Sequence, residues 1–232
     1  MPPIKRLTAY FTKGELLLWG CSELCILLAF CLFDRESYLT LAASLIGVTS
    51  LILSAKGNPA GQLLMVVFSL LYGVISYSFA YYGEMITYLG MTLPMSVFAF
   101  AAWLRNPYKG RRAEVRVSRI PPREGLFMWL LTAAVTILFY GVLAAFGTAN
   151  LIMSTVSVTT SFLAVYLSFR RSPYFALAYA ANDVVLIALW ILAAGEESRY
   201  ISVAVCFTAF LVNDLYGFIS WRRMRRRQEK EL

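Results

Sequence analysis

Eight segments of the sequence are nearly uncharged over about twenty residues each, the length that an α-helix needs to cross a bilayer. They span residues 15–33, 38–54, 61–82, 85–104, 126–146, 150–169, 173–194 and 200–221. The whole chain is 59% hydrophobic and 15% charged, whereas soluble domains are about half apolar and about a quarter charged. No segment alternates as a transmembrane β-strand does. The sequence therefore predicts an all-α integral membrane protein with eight transmembrane helices.

The lysines and arginines are distributed unequally between the two sides of the predicted membrane topology. If both termini face the cytoplasm, all 21 lysines and arginines except Arg35 and Arg199 fall on cytoplasmic segments. An excess of Lys and Arg on cytoplasmic segments is the general rule for membrane proteins. The pattern predicts cytoplasmic termini, and it accounts for the net charge of +8 without a nucleic-acid partner. The lipid bilayer is the expected partner of the apolar surface.

Two short turns indicate an internal repeat. SAKGNP at 54–59 and SFRRSP at 168–173 each join the first two helices of a three-helix set. A single helix separates the sets, so both run in the same orientation, as in the parallel repeats of SWEET-type transporters. We predict a 3+1+3 seven-helix core of two parallel three-helix repeats plus one N-terminal helix. Residues 1–37 are the N-terminal cytoplasmic segment with the extra helix, 38–104 the first repeat and 105–149 a basic cytoplasmic loop with the linking helix. Residues 150–221 are the second repeat and 222–232 a basic cytoplasmic tail.

Polar residues stand at the middle of the last two helices. Asn182 and Asp183 lie near the midpoint of 173–194, with Tyr179 one turn before and Trp190 two turns after Asp183. A carboxylate at the bilayer centre costs about 2.5–3.5 kcal/mol on insertion scales, so such groups usually face a cavity and mark a substrate or ion path. The next helix repeats the dipeptide as Asn213 and Asp214, which predicts a substrate site between these helices. The alternative is that one of the two pairs is an interhelical hydrogen-bond clamp.

Other polar and aromatic residues are weaker candidates for the same site. Three of them complete the predicted substrate-binding set: Tyr216, Gln62 and Tyr72. Helix 150–169 is rich in Ser and Thr, which mostly allow close helix packing. Glu84 falls on a predicted outer loop, where we expect it to be solvated.

Several function classes are excluded by what the sequence lacks. The chain has no histidine, which removes His-based zinc sites and Ser-His-Asp triads. It has no Walker loop and no serine elbow. We therefore predict no metal, no cofactor and no enzymatic activity.

Three stretches carry a resemblance to a known family. SLIGVTSLILSAKGNPAGQLLMVVFSLLYGV resembles the opening helix pair of the PnuC family of nicotinamide riboside transporters. AYAANDVVLIALW is similar to the family's W-x-x-x-D motif, with Tyr179 in place of the tryptophan and Asp183 as the acid. The terminal Trp221-Arg222-Arg223 completes the match. The resemblance covers about 38–225 and leaves the first helix as an addition.

The resemblance implies uptake of nicotinamide riboside, a form of vitamin B3 used in NAD biosynthesis. It implies facilitated diffusion with alternating access, with the substrate trapped by a cytoplasmic nucleoside kinase, in a bacterial inner membrane. It also implies that copies of the chain associate into a homo-oligomer, with a trimer as the expected form. The alternative is a facilitator or proton-coupled carrier of thiamine, riboflavin or a deoxynucleoside.

Overall fold

The computed structural model describes residues 10–78, 81–148 and 150–231. Within these residues, eight helices are long and apolar enough to cross a membrane, which confirms the predicted fold class. We name them α1 to α8 in chain order: Lys13–Phe33, Tyr38–Ala55, Pro59–Ser78, Tyr82–Arg105, Pro122–Ala145, Leu151–Phe169, Tyr174–Ala194 and Tyr200–Lys230. Residues 1–9, with Lys5 and Arg6 of the topology argument, lie outside the described residues.

Two helix boundaries differ from the prediction. The third segment was expected to run to residue 82, but α3 ends at Ser78 and α4 already begins at Tyr82. The last helix was expected to end at 221, but α8 continues to Lys230. Its final turns lie outside any apolar run, and they are supported by an i,i+4 pair between Arg225 and Glu229 at 2.8 Å, a spacing that stabilises helices.

Six of the helices form a closed ring. Each packs against the next in the order α2, α3, α4, α6, α7, α8, and α8 packs against α2 to close it. The predicted first set contributes α2 to α4 and the predicted second set contributes α6 to α8. The two sets therefore meet at two equivalent interfaces, α4 with α6 and α8 with α2. The division into repeats stays a prediction, and this arrangement of contacts supports it.

The two remaining helices lie outside the ring. α1 packs against α2 and α8, and α5 packs against α6. Only 17% of the apolar window of each is buried, because their outer faces carry side chains such as Leu17 and Ile137 that remain exposed for contact with lipid.

The turns that suggested a repeat share one conformation. Gly57 and Arg171 occupy equivalent positions with φ of +69° and +56°. Each donates its backbone N–H at 2.9 Å to a serine carbonyl three residues earlier, Ser54 or Ser168. Glycine suits this left-handed conformation, whereas arginine is strained in it.

The basic segments meet at one end of the bundle. The loop after α4 forms a short antiparallel hairpin, β1 (Pro107–Tyr108) and β2 (Arg111–Val115). The Val115 N–H donates to the Gly57 carbonyl at 2.9 Å, so the hairpin touches the α2–α3 turn. The Arg35 and Arg199 side chains instead line a cavity at the opposite end. The structure thus separates the basic end from the other end as the charge pattern requires, while the side that each faces stays a prediction.

α4 is interrupted by a π-helical turn at Tyr88–Thr92. Its cause is local, because Pro94 has no N–H to donate and its ring clashes with the preceding helical turn. The Leu93 N–H donates to the Tyr88 carbonyl five residues back. π-Turns inside α-helices are frequently found at functional sites, and this one turns the Tyr88 side chain into the ring.

Candidate functional site

The centre of the site is a pair of carboxyl groups on neighbouring helices. Asp183 of α7 and Asp214 of α8 are 3% and 4% exposed, and their carboxyl groups are close enough to interact electrostatically. Two adjacent carboxyl groups in a low-dielectric site repel each other when both are ionised. The Asp183 Oδ2 is buried without a hydrogen-bond partner among the described residues. The structure therefore brings together the two acids that the sequence singled out and leaves one acceptor unoccupied.

Two tyrosines adjoin this acid pair. Tyr179 lies one turn from Asp183 on α7 and is close enough to both carboxyl groups to interact with them electrostatically. Tyr88, in the π-turn of α4, is near enough to Asp183 and Tyr179 to interact with them electrostatically. Both tyrosines are buried. The acid pair is therefore bordered by aromatic hydroxyl groups from both three-helix sets.

An aromatic cluster continues from Tyr88. The Tyr88 and Tyr72 rings are 4.4 Å apart in an edge-to-face arrangement. Trp190 Nε1 donates a hydrogen bond of 2.8 Å to the Tyr72 hydroxyl. Phe207 packs edge-on against Tyr72 at 5.5 Å. Tyr72 and Trp190 are thus joined to the acid pair through Tyr88, which was not among the predicted site residues.

Asn182 has a different role from its neighbour Asp183. Its Oδ1 accepts hydrogen bonds from three hydroxyl groups of α6, at 3.3 Å from Ser157, 2.8 Å from Thr160 and 3.0 Å from Ser161. The hydroxyl-rich face of α6 therefore holds α7 in register. This is the interhelical clamp that the sequence left open as the alternative, and it positions Asp183 one residue further along.

Three other predicted site residues make hydrogen bonds to groups outside the acid pair. Asn213 Nδ2 donates to Ser22 Oγ of α1 at 2.8 Å, and the Tyr216 hydroxyl donates to Glu15 of α1 at 2.8 Å. Gln62 lies between the two turns, where it contacts Ser54 and Ser168 at 3.4 and 3.2 Å. These contacts join helices, and the structure does not gather the three residues into one pocket.

Glu84 was expected to be solvated, and this expectation was wrong. Its side chain is 1% exposed, because α4 begins at Tyr82 and carries it inside the ring. Ser157 of α6 lies beside it, but neither carboxylate oxygen has a hydrogen bond of normal geometry among the described residues. Glu84 is one turn from Tyr88 on the same helix, and that i,i+4 spacing was the available sequence signal.

The electrostatics of the site are dominated by these acids. Among the described residues, ion pairs of Lys and Arg involve other carboxylates, such as Lys56 with Glu15 at 3.1 Å, and none involves Glu84, Asp183 or Asp214. The described residues also contain no group of three or more His, Cys, Asp or Glu that could hold a metal ion. A buried site with carboxyl groups and aromatic faces favours a cationic or hydrogen-bonding organic ligand.

Comparison with known proteins gives the class and then the family. Eight spanning helices, six of which form a ring around a buried polar centre, fit a multi-pass membrane transport protein. The sequence model of the family described as "Nicotinamide mononucleotide transporter" matches residues 37–223. The chain belongs to this family, the PnuC transporters, which confirms the resemblance seen in the sequence and makes it a transport protein, not an enzyme.

Individual relatives agree with this assignment. The chain is 28% identical over 206 residues to the nicotinamide riboside transporter PnuC of Neisseria mucosa, covering 84% of this chain and 76% of that protein. It is 21% identical over 193 residues to the protein of that name from Haemophilus influenzae, covering 83% and 82%. A solved structure described as the crystal structure of the vitamin B3 transporter PnuC superposes with a TM-score of 0.82 at 23% identity, covering 94% of each chain. That likeness shows the fold.

Proposed function

We propose that this protein carries nicotinamide riboside across a bacterial inner membrane by facilitated diffusion. The observation that carries the proposal is the contact between Asp183 and Asp214 at the centre of the ring, with Tyr179 and Tyr88 beside it. Two relatives are nicotinamide riboside transporters by description. Cytoplasmic termini and trapping of the imported substrate by a nucleoside kinase belong to the same proposal.

The chemistry of the substrate suits this site. Nicotinamide riboside joins a pyridinium cation to a ribose with several hydroxyl groups. A carboxylate balances the positive ring and accepts hydrogen bonds from hydroxyl groups, and aromatic faces attract a planar cation. The unoccupied Oδ2 of Asp183 supplies an acceptor for the ligand, and Glu84 supplies another buried carboxyl group on the opposite set of helices.

Alternating access is proposed to occur by rocking of the two three-helix sets. Asp183 and Asp214 are nearly inaccessible, so the site is closed and must open toward each side in turn. The two interfaces of the ring, α4 with α6 and α8 with α2, are the places where one set can move against the other.

A proton-coupled carrier is the second candidate, and the same contact favours it. Because two adjacent buried carboxyl groups repel each other when both are ionised, the pair favours holding a proton between them, and a cationic ligand that binds there would displace that proton. If the proton leaves to one side and returns from the other, transport of the cation becomes coupled to a proton gradient. The facilitator and the exchanger therefore differ in whether a pH gradient drives accumulation.

Uptake into proteoliposomes that contain only this protein tests both candidates. Labelled nicotinamide riboside, thiamine, riboflavin and a deoxynucleoside are compared without ATP or ion gradients. We expect nicotinamide riboside to equilibrate and the rate to fall ten- to hundredfold in Asp183→Asn, because a hydrogen bond to a charged group is worth about 1.5–3 kcal/mol. Glu36→Gln is the matched control, because Glu36 is an exposed carboxylate at the end of the bundle opposite the basic end. This variant should transport normally.

Other outcomes would change the proposal. Preferred uptake of thiamine or another compound would replace the substrate while retaining the site. Accumulation only under a pH gradient would favour the proton-coupled carrier. Full uptake by correctly folded Asp183→Asn would exclude the acid pair as the binding site.

A further inference from the structure

An apolar groove opens on the outside of the bundle beside the basic end. It encloses about 530 Å³ between α5 and α7, with α6 behind it. Its lining includes Trp129 and Leu177, which are 58% and 43% exposed. Ala178 and Ala181 also line it, and their small side chains leave space in the groove. These residues fall in the first two turns or so of α5 and α7, so the groove lies at the depth of the acyl chains of the adjacent leaflet.

Arginines collect where this groove meets the basic end. A neighbouring cavity of about 350 Å³ is lined by four of them, Arg116, Arg119, Arg171 and Arg225. The single carboxylate in its lining is Glu229, and its Oε1 is shared between Arg119 at 2.7 Å and Arg225 at 2.8 Å. The groove and the arginine cavity share Ser118, Arg119 and Arg225 in their linings, so they form one continuous surface.

Arg171 is the more buried of the two arginines in this cavity, Arg116 and Arg171, that have no ion pair within the described part of the chain. It makes no ion pair within the described part of the chain, and its Nε is buried without a hydrogen-bond partner there. Burial, reinforced by the nearby positive charges of Arg170 and Arg116, lowers the pKa of the Arg171 guanidinium. A buried cation without a counter-charge is unfavourable, and a phosphate oxygen forms strong charge-assisted hydrogen bonds with arginine.

We propose that this surface binds one anionic phospholipid of the adjacent leaflet, with its phosphate on Arg116, Arg171 and Arg225 and an acyl chain in the groove between α5 and α7. A soluble phosphate would satisfy the arginines, but it would leave the continuous apolar groove unfilled. Basic pockets between transmembrane helices on the cytoplasmic side bind anionic headgroups in other membrane proteins.

The lipid would connect parts of the protein that are distant in sequence. Arg116 follows the hairpin, Arg171 lies in the α6–α7 turn and Arg225 lies on the extension of α8. The Ser118 N–H already donates to the Arg171 carbonyl at 3.0 Å. A bound headgroup would hold the loop, the turn and the α8 extension together at the basic end.

Native mass spectrometry of the full-length protein in mild detergent tests the proposal. The protein is titrated with phosphatidylglycerol or with phosphatidylcholine of the same chain length. We expect phosphatidylglycerol to bind with higher affinity, and the Arg116→Gln/Arg171→Gln variant to lose at least tenfold of that affinity. Arg111→Gln/Arg112→Gln removes the same charge from exposed positions on β2 outside both cavities, and it should bind as the unmodified protein does.

A second variant tests the groove separately from the arginines. Ala181→Phe fills the groove from its exposed side, and we expect it to weaken phosphatidylglycerol binding with every arginine in place. Binding that is unaffected by the double arginine variant overturns the proposal. Binding that inorganic phosphate abolishes and Ala181→Phe leaves intact indicates a soluble-anion site and also overturns it. A change of oligomeric mass in Ala181→Phe without loss of lipid assigns the groove to a second copy of the chain and overturns it too.

Discussion

The indole rings of Trp103 and Trp221 lie 5.1 Å apart at the basic end of the bundle, and each donates a hydrogen bond to the turn of the opposite three-helix set. Trp103 Nε1 donates to the Ser168 carbonyl at 2.9 Å, and Trp221 Nε1 donates to the Ser54 carbonyl at 2.7 Å. This reciprocal arrangement closes that end of the ring. It also joins the two sets at the point where rocking toward the open state would have to separate them.

The first prediction concerns this tryptophan pair. Trp103→Phe removes the Nε1 donor, while the Ser168 carbonyl keeps the Arg171 N–H, so the free energy of unfolding should fall by about 0.5–1.5 kcal/mol, the net contribution of one hydrogen bond. Chemical denaturation in mild detergent measures the loss. Trp129→Phe is the matched control, because Trp129 is 58% exposed on the lipid-facing side of α5. Equal destabilisation by the two changes would mean that the hydrogen bond to Ser168 contributes nothing.

The second prediction concerns Glu84. Because neither carboxyl oxygen has a hydrogen bond of normal geometry among the described residues, Glu84→Gln removes a buried ionisable group without breaking such a bond. We expect the unfolding midpoint to stay the same or rise. Uptake of a cationic substrate should nevertheless fall about tenfold, the effect of about 1.4 kcal/mol. Normal uptake by Glu84→Gln, with Glu196→Gln as the exposed control, would place Glu84 outside the transport path.

The third prediction separates the clamp from the ligand site. Asn182 and Thr160 should show a coupling energy of about 0.5–2 kcal/mol in a double-mutant cycle built from Asn182→Ala and Thr160→Val, as contacting polar residues do. The readout is unfolding of each variant in detergent. The pairing of Asn182→Ala with Thr208→Val serves as control, because Thr208 bonds back to Ala204 of its own helix. Additive losses for Asn182 and Thr160 would contradict the clamp.

The fourth prediction uses the equivalent turns. Arg171 is held at φ of +56°, and replacing a non-glycine residue there by glycine should relieve about 1 kcal/mol of backbone strain. Arg171→Gly should therefore raise the unfolding midpoint in neutral detergent. Gly57→Ala should lower it, because the new Cβ would be strained at φ of +69° and would approach the Met224 side chain to 3.0 Å. Destabilisation by both changes would mean that the Arg171 side chain outweighs its backbone strain.

The sequence predicted the acid pair and grouped other polar residues with it by helical position. Asp183 and Asp214 were identified because a carboxylate is costly in an apolar helix, and this signal does not depend on packing. Asn213 and Tyr216 were grouped with them by helical position, yet they face Ser22 and Glu15 of α1. The face that a neighbour covers depends on where α1 packs, and α1 is too uniformly apolar for its sequence to specify that.

The other differences from the prediction come from where helices α4 and α8 begin and end. Moving the start of α4 by three residues placed Glu84 inside the ring instead of on a loop, and the π-turn then aimed Tyr88 at Asp183. The π-turn follows from the missing N–H of Pro94, which hydrophobicity alone does not describe. The helical continuation of α8 was missed because its residues are charged, although Arg225 and Glu229 are spaced for a helix.

By itself, the sequence determined the membrane environment, the number of spans, the end of the bundle that carries the positive charge, and the two buried acids. These properties depend on how much each side chain gains or loses on entering lipid. The tertiary structure alone decided which polar groups meet, that Asn182 is bound by α6, that Glu84 is buried, and that a groove beside α7 ends in arginines. Those properties depend on which helices lie next to each other in the ring. That order is set by packing between segments that are far apart in the chain.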